Sequence, residues 1–294
     1  MRLTIRDLSK TYSNGVRALR RVDLTIPPGM FGLLGPNGAG KSTLMRTLAT
    51  LQEPDTGAVQ FGAIDVLRDK YAVRELLGYL PQEFGLYPTM TAAQTLDHFA
   101  VLKGIVDRRQ RKDHIDALIE RTNLGHARKQ AVGGFSGGMK QRLGIAVALL
   151  GGPRLLIVDE PTAGLDPTER HRLLDLLSEL GQDIVVILST HIVQDVAELC
   201  PQFAILAGGE VLHTGAPEAA VAALRGKIWR RVVARADLPT LQRSSHVIST
   251  RLIAGHPVVH VHHEGPPGPE FEPVAPDLED VYFHQLSRAS RGAA

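Results

Sequence analysis

The sequence predicts an α/β fold in which a mostly parallel sheet is covered on both faces, and three observations lead there. Met30-Phe31-Gly32-Leu33-Leu34, Leu155 to Val158 and Ile184 to Leu188 are apolar runs without polar alternation, as expected of strands buried on both sides. The last two are joined through helical spacing from Thr168 to Leu180, the connection that parallel strands require. The first opens into Gly35-Pro36-Asn37-Gly38-Ala39-Gly40-Lys41-Ser42-Thr43, which fits G-x-x-x-x-G-K-[ST] at every fixed position.

That loop has a strand before it and helical spacing, Lys41 to Leu48, after it. A triphosphate needs several N–H donors at short range. Glycines let the backbone wrap that close, and the positive end of the following helix adds a favourable field. Lys41 is placed to reach the β- and γ-phosphates and Ser42 to hold Mg²⁺. A glycine-rich turn with a chance lysine would not need strand, loop and helix in this order. The fold expected is therefore a P-loop NTPase.

Bulk properties narrow the class. A chain of 294 residues, 44% hydrophobic, can bury one large core or a core plus a small appendix. Net charge is +2 with both signs interspersed, which gives no electrostatic footprint for nucleic acid. The single cysteine, Cys200, precludes an internal disulfide and suits a reducing cytosol; flanked by Leu199 and Pro201, it reads as a buried thiol. No apolar run approaches the ~20 residues needed to span a bilayer. The N-terminus alternates like a strand and carries no apolar signal core.

Along the chain, Leu3 to Ile5 and Val22 to Ile26 read as a hairpin about Asn14-Gly15, closed by Pro27-Pro28-Gly29. Gly57 to Val66 reads as further strand, and Leu76 to Leu80 as a short one. Thr91 to Gly151 is mostly helical, with apolar positions Leu96, Phe99, Ala100 and Leu102. Phe203 to Leu206 and Val211 to His213 form a hairpin. From about residue 226 a small separate unit is expected, with strands Trp229 to Ala236, Val247 to Leu252 and Pro257 to His262. A short amphipathic helix, Asp277 to Leu286, follows. There is neither an internal repeat nor a long heptad segment. His260 and His262 share one strand face, but with no cysteine or acidic cluster beyond Glu264 a solvated face is expected for them and for His256 and His263.

Two further motifs bear on chemistry. Leu155 to Val158 delivers Asp159 and Glu160 at its C-terminal end. One carboxylate can hold Mg²⁺, and the second, near the γ-phosphate, can polarise the attacking water. Phe135-Ser136-Gly137-Gly138-Met139-Lys140-Gln141-Arg142 opens a helix. In isolation it is an ordinary N-cap; beside the loop it is a second anion-binding terminus.

On these residues the chain resembles the nucleotide-binding subunits of ATP-binding-cassette (ABC) transporters, over roughly residues 1 to 225. Gly35 to Thr43 looks like the Walker A loop, Gln82 the Q-loop glutamine, Ser136-Gly137-Gly138 the signature and Asp159-Glu160 the Walker B pair. Ala163-Gly164-Leu165-Asp166 looks like the D-loop, His191 the switch histidine and Tyr12 the aromatic that stacks on adenine. The resemblance implies an antiparallel β subdomain, a helical signature subdomain at about 84–150 and a small C-terminal α+β appendix at 226–294. The usual signature is Leu-Ser-Gly-Gly-Gln; here Phe135 and Met139 stand at its outer positions.

The resemblance also implies a mechanism. Two cassettes, copies or paralogues, close head-to-tail on two ATP molecules, so that Ser136 and Gly138 of one cap the triphosphate held by Lys41 of the other. Glu160 is then the general base and His191 a γ-phosphate contact. Gln82 links Mg²⁺ and water to the helical subdomain. Ser42, Gln82 and Asp159 hold the metal, and Asp166 contacts the nucleotide site. The partner implied is a multi-spanning permease, with the chain working at the cytoplasmic face of the cell membrane. Phe84, Leu86 and Tyr87 either pack under the helical subdomain or line a groove for a permease helix. Asp277-Leu278-Glu279-Asp280-Val281-Tyr282 resembles the tail motif of ABC-2 type drug and antibiotic exporter ATPases, and the tail is too short for the regulatory domain of sugar importers. The competing expectations are a soluble ABC ATPase that remodels a cytosolic partner, as in iron–sulfur assembly, and a binding module without turnover. The intact Lys41, Asp159, Glu160 and His191 weigh against the latter.

Overall fold

The computed structural model describes residues 1–292. Its first two strands, β1 (Leu3–Thr11) and β2 (Arg17–Ile26), form the expected hairpin. Asn14 Oδ1 accepts from the Val16 N–H at 3.1 Å within the turn, the local bond that suits asparagine to turns. Then come β3 (Gly29–Leu34), α1 (Lys41–Leu48), β4 (Thr56–Phe61) and β5 (Ile64–Asp65). The strand expected from Gly57 to Val66 is broken at Gly62, where φ is +62°. These strands make an antiparallel sheet in the order β2-β1-β4-β5. Helix α2 (Lys70–Leu76) leaves little trace in the sequence, because only Val73 in it is buried.

Next are β6 (Leu77–Leu80), α3 (Ala92–Leu102), α4 (Arg108–Arg121) and α5 (Gly137–Ala148). They are followed by β7 (Leu155–Asp159), α6 (Pro167–Leu180), β8 (Val185–Thr190), α7 (Val193–Leu199), β9 (Gln202–Ala207), β10 (Glu210–Gly215) and α8 (Pro217–Ala222). The central sheet runs β10-β9-β3-β8-β7-β6 and is parallel except for β10. Its apolar runs now have a cause. Phe31, Leu33, Leu155, Ile157, Val185 and Ile187 pack with the antiparallel sheet and α1. Their neighbours Met30, Leu34, Leu156, Val158, Val186 and Leu188 pack with the helices of the other layer. Gly32 lets α7 lie close, since a Cβ there would stand 2.6 Å from a Val196 methyl. Leu96 and Ala100 are buried as expected, but Leu102 is 68% exposed; it is the last residue of α3, off the stripe that the other two mark. Cys200 is buried, and burial, then Asp195, push its thiol up.

The tail comprises β11 (Ile228–Val232), α9 (Leu238–Ser244), β12 (Val247–Ile253), β13 (His256–His262), β14 (Glu272–Pro273) and α10 (Leu278–Gly292). Its strands form an antiparallel sheet, β12-β13-β11-β14, with a small core of Val233, Leu241, Val259 and Val261. It is not separate in packing, contrary to expectation. Ile228, Ile248, Leu278, Val281 and Tyr282 belong to the large core that also holds α5, α6 and α7. The solvated histidine face is also corrected. His256 and His263 are exposed, but α10 covers the face that carries His260 and His262. His260 Nδ1 lies 2.7 Å from Asp280 Oδ1, and His262 packs against His246 and His284. Burial, then His262 and His246, push the His284 ring down to about 4. The strand pattern gives no warning, because Asp280 and His284 are about twenty residues further along the chain.

Leu278→Ala should therefore lower the stability of the whole chain by about 2–5 kcal/mol, the usual cost of emptying a core leucine site. Urea unfolding checks this: a tail docked independently would leave the main transition unmoved.

Candidate functional site

Strands β3, β8 and β7 are neighbours, so their C-terminal ends arrive side by side. Leu34 is in register with Thr190 and Asp159 with Ser189. The next residues are the glycine loop, His191 and Glu160. They meet in a cleft of about 500 Å³, which Tyr12, Pro36 to Thr43, Gln82, Glu160 and His191 all line. Gly35 stands behind it, where a Cβ would strike the Leu206 carbonyl oxygen at 2.3 Å. Gly40 has φ +105°, and a Cβ there would lie 2.2 Å from the Ala18 oxygen. Only glycine fits either place.

At the centre is a buried ion pair. Lys41 Nζ lies 3.5 Å from Glu160 Oε1, with side chains 6% and 7% exposed. The lysine also donates to the Gly35 carbonyl at 2.6 Å. His191 Nδ1 is 2.7 Å from Glu160 Oε2, and its ring is half exposed. Glu160 takes φ +50°, an uncommon conformation for a residue with a Cβ, costing about 1–3 kcal/mol. Its N–H donates to Ser189 O at 2.8 Å, which holds the kink and aims the carboxylate between lysine and histidine.

Asp159 is buried, and its Oδ1 has no hydrogen-bond partner. The Ser189 hydroxyl, on the neighbouring strand, is likewise buried without one. Such groups are rare unless something else satisfies them. Ser42, at the start of α1, lines the cleft whereas Asp159 does not; carboxylate and hydroxyl oxygens of this kind are the hard donors that Mg²⁺ takes. Tyr12 Oη contacts Thr43 Oγ1 at 3.0 Å and donates to Gln52 Oε1 at 3.2 Å. Gln52, which also donates to Thr43 O, carries no pattern that would have marked it.

Ser136, Gly137, Gly138 and Asp166 do not line this cleft. Ser136 caps α5, accepting from the Met139 N–H at 3.2 Å, and is exposed together with Gly137; Gly138 is buried. Asp166 is exposed and caps α6. Buried ties join these regions. Arg142, on α5, pairs with Glu169 on α6. Asp195, fully buried on α7, accepts from Thr162 Oγ1 and from Arg170 Nε. The segment leading to Asp166 is thus bound to the helix that follows His191. Neither tie was legible, since each spans more than twenty residues. Helix α10 also comes near: burial, then the charge of Glu160, push the Tyr282 phenol up.

Removing one member of a buried ion pair leaves the other uncompensated. Asp195→Ala should destabilise the chain by about 3–5 kcal/mol, with Asp195→Asn milder. Chemical denaturation reads the difference, and a wild-type midpoint for the alanine variant would contradict it.

Comparison with known proteins gives the family. The sequence profile of the family described as "ABC transporter" matches residues 19–163. The chain is 34% identical to the "Probable multidrug ABC transporter ATP-binding protein YbhF" of Escherichia coli (strain K12), over 98% of this chain and 52% of that protein. It thus spans about half of that relative's length. It is 37% identical to the "Daunorubicin resistance ATP-binding protein DrrA3" of Streptomyces coeruleorubidus, over 72% of this chain and 67% of that protein. Among solved structures, MJ0796, described as a dimeric bacterial ABC transporter cassette, aligns with a TM-score of 0.66 at 26% identity, over 73% of this chain and 98% of that one. With the phosphate loop, the paired acids and the histidine following the C-terminal ends of β3, β7 and β8, this chain belongs to the ATP-binding proteins of the ABC transporter family.

Proposed function

We propose that the chain binds ATP with Mg²⁺ and hydrolyses it as the cassette subunit of an ABC-2 type drug or antibiotic exporter, closing on a second cassette to drive a separate permease. The observation that carries this reading is the separation of its two anion-binding helix ends. The start of α1 lies in the cleft with Glu160 and His191, whereas Ser136 and Gly137 are exposed outside it. One triphosphate in this cleft has no use for a second cradle that does not line it. Head-to-tail pairing of two chains uses both.

In this scheme residues 1–225 are the cassette, with 84–150 as its helical part, and 226–294 an accessory unit. Lys41 exchanges its loop carbonyls for β- and γ-phosphate oxygens, and Tyr12 offers its ring to the base. Glu160 then accepts a proton from the attacking water, and His191 contacts the γ-phosphate. Ser42, Asp159 and Gln82 would hold Mg²⁺, which when bound neutralises phosphate charge. Ser136, Gly138 and Asp166 complete the site of the opposite chain. The dimeric description of MJ0796, and its description elsewhere as a post-hydrolysis state bound to ADP and Pi, support this pairing and the turnover. The names of DrrA3 and YbhF, with the Leu278-Glu279-Asp280-Val281 tail, support the exporter reading.

For permease docking, the apolar segment after Gln82 divides. Phe84 and Leu86 are half-buried against the helical core, whereas Tyr87 is 54% exposed. Phe84 fills the space beside Gly144. Together with Gln82 and Gly133, Phe84 and Leu86 line a cleft of about 720 Å³, and we assign this cleft to a helix of the permease at the cytoplasmic face. Gln82 lines both clefts, which suits it to pass the state of one to the other.

Glu160→Gln should keep ATP binding, lose turnover by about two orders of magnitude or more and accumulate as an ATP-bound dimer; phosphate release and sedimentation check this, and near-normal hydrolysis would remove Glu160 from the role. Leu86→Ala should spare basal hydrolysis while weakening co-purification with the cognate permease, and undiminished co-purification would reject the docking assignment.

A further inference from the structure

We propose that His246, His262 and His284 form a metal site for Zn²⁺ or a similar late first-row dication, fastening the C-terminal helix to the small sheet. The three come from different elements: His246 from the turn before β12, His262 from the end of β13 and His284 from α10. One ligand atom from each lies within 4.8 Å of the other two. The ring centres stand 4.4 Å apart for His262 and His284, 5.5 Å for His246 and His284 and 5.6 Å for His246 and His262. Three imidazoles on one tetrahedral ion, with metal–nitrogen bonds of about 2 Å, hold their ring centres roughly 5 Å apart. Small side-chain rotations would complete the set.

Packing alone does not account for the cluster. His284 is 8% exposed, and its Nδ1 is buried without a hydrogen-bond partner. An apolar side chain would fill that place without leaving a polar atom unmet. Outer support is present as well. His246 Nε2 lies 2.8 Å from Ser287 Oγ on α10, the kind of contact that fixes the ring of a ligating imidazole. His260 and Asp280 brace the same helix against the same strand. The three rings line a cleft of about 450 Å³, where water or Glu264 can supply a fourth ligand. Arg288 and Lys227, and Arg291 beside His246, are the charges that oppose a cation there; Glu264, 3.2 Å from Lys227, offsets the lysine in part. A donor set of imidazole nitrogens selects zinc, copper, nickel or cobalt over magnesium and calcium. The site is separate from the phosphate-loop cleft and does not depend on the function assigned to it.

The test uses the tag-free full chain, stripped with chelator and free of nucleotide. It is titrated with ZnCl₂, CoCl₂ and MgCl₂, followed by calorimetry and, for cobalt, by its visible spectrum. The expected result is one Zn²⁺ per chain, no comparable Mg²⁺ uptake and the absorption of tetrahedral Co²⁺. His246→Gln and His262→Gln, at partly exposed positions, should each weaken zinc binding by about tenfold or more with unchanged circular dichroism. His256→Gln, exposed on the same strand, should leave it unaltered. Zinc should raise the thermal midpoint of the wild type but not of the His246/His262 double variant. Absence of stoichiometric uptake, or equal uptake by the double variant, would overturn the proposal; these two positions decide the matter even if His284→Gln fails to fold.

Discussion

The pairing of Glu160 with Lys41 and His191 is the contact on which the rest of the site turns. It exists because three parallel strands end at one level, so that residues far apart in sequence step off the sheet together. The backbone of Glu160 is held in a left-handed kink by its bond to Ser189, which points the carboxylate across the loop rather than along the strand. A lysine and a carboxylate this deeply buried are stable only as partners. The pair keeps both charges in place and leaves each side chain ready to exchange one contact for another.

The helix end at Ser136, which the proposal takes as a second anion cradle, does not line the cleft. Arg142 joins α5 to α6, and Asp195 joins both α6 and the segment before it to the helix after His191. These contacts connect the helix after His191 to the segment that ends at Asp166 and, through α6, to the helix that Ser136 caps. Under the proposed pairing, such a chain offers one half-site at the phosphate loop and another at Ser136, with these contacts between them. The tail adds a further brace, since α10 contributes Leu278, Val281 and Tyr282 to the same core.

Much of this was legible in the sequence, for identifiable reasons. The central strands are buried on both faces, so Leu155 to Val158 and Ile184 to Leu188 read as uninterrupted apolar runs. The loop residues Gly35 to Thr43 are constrained by backbone approach and charge at fixed spacing, and such constraints survive as a pattern. The illegible parts rest on long-range pairs. Asp195 and Gln52 look like ordinary polar residues until α6 and Tyr12 are brought beside them. His260 and His262 looked solvated because the helix that covers them lies beyond the Gly265 to Pro269 break. Helix α2 buries one residue and so has no stripe to read, and Leu102 carries apolar character at a helix end where nothing packs.

The central claim is that a complete reaction centre needs two chains. ATP turnover per chain, measured across a wide range of chain concentration with sedimentation at each point, tests it most directly. The account predicts that turnover per chain rises with concentration as dimer forms with ATP and vanishes when only monomer is present. Constant turnover per chain, carried by a species that sediments as a monomer, would contradict it.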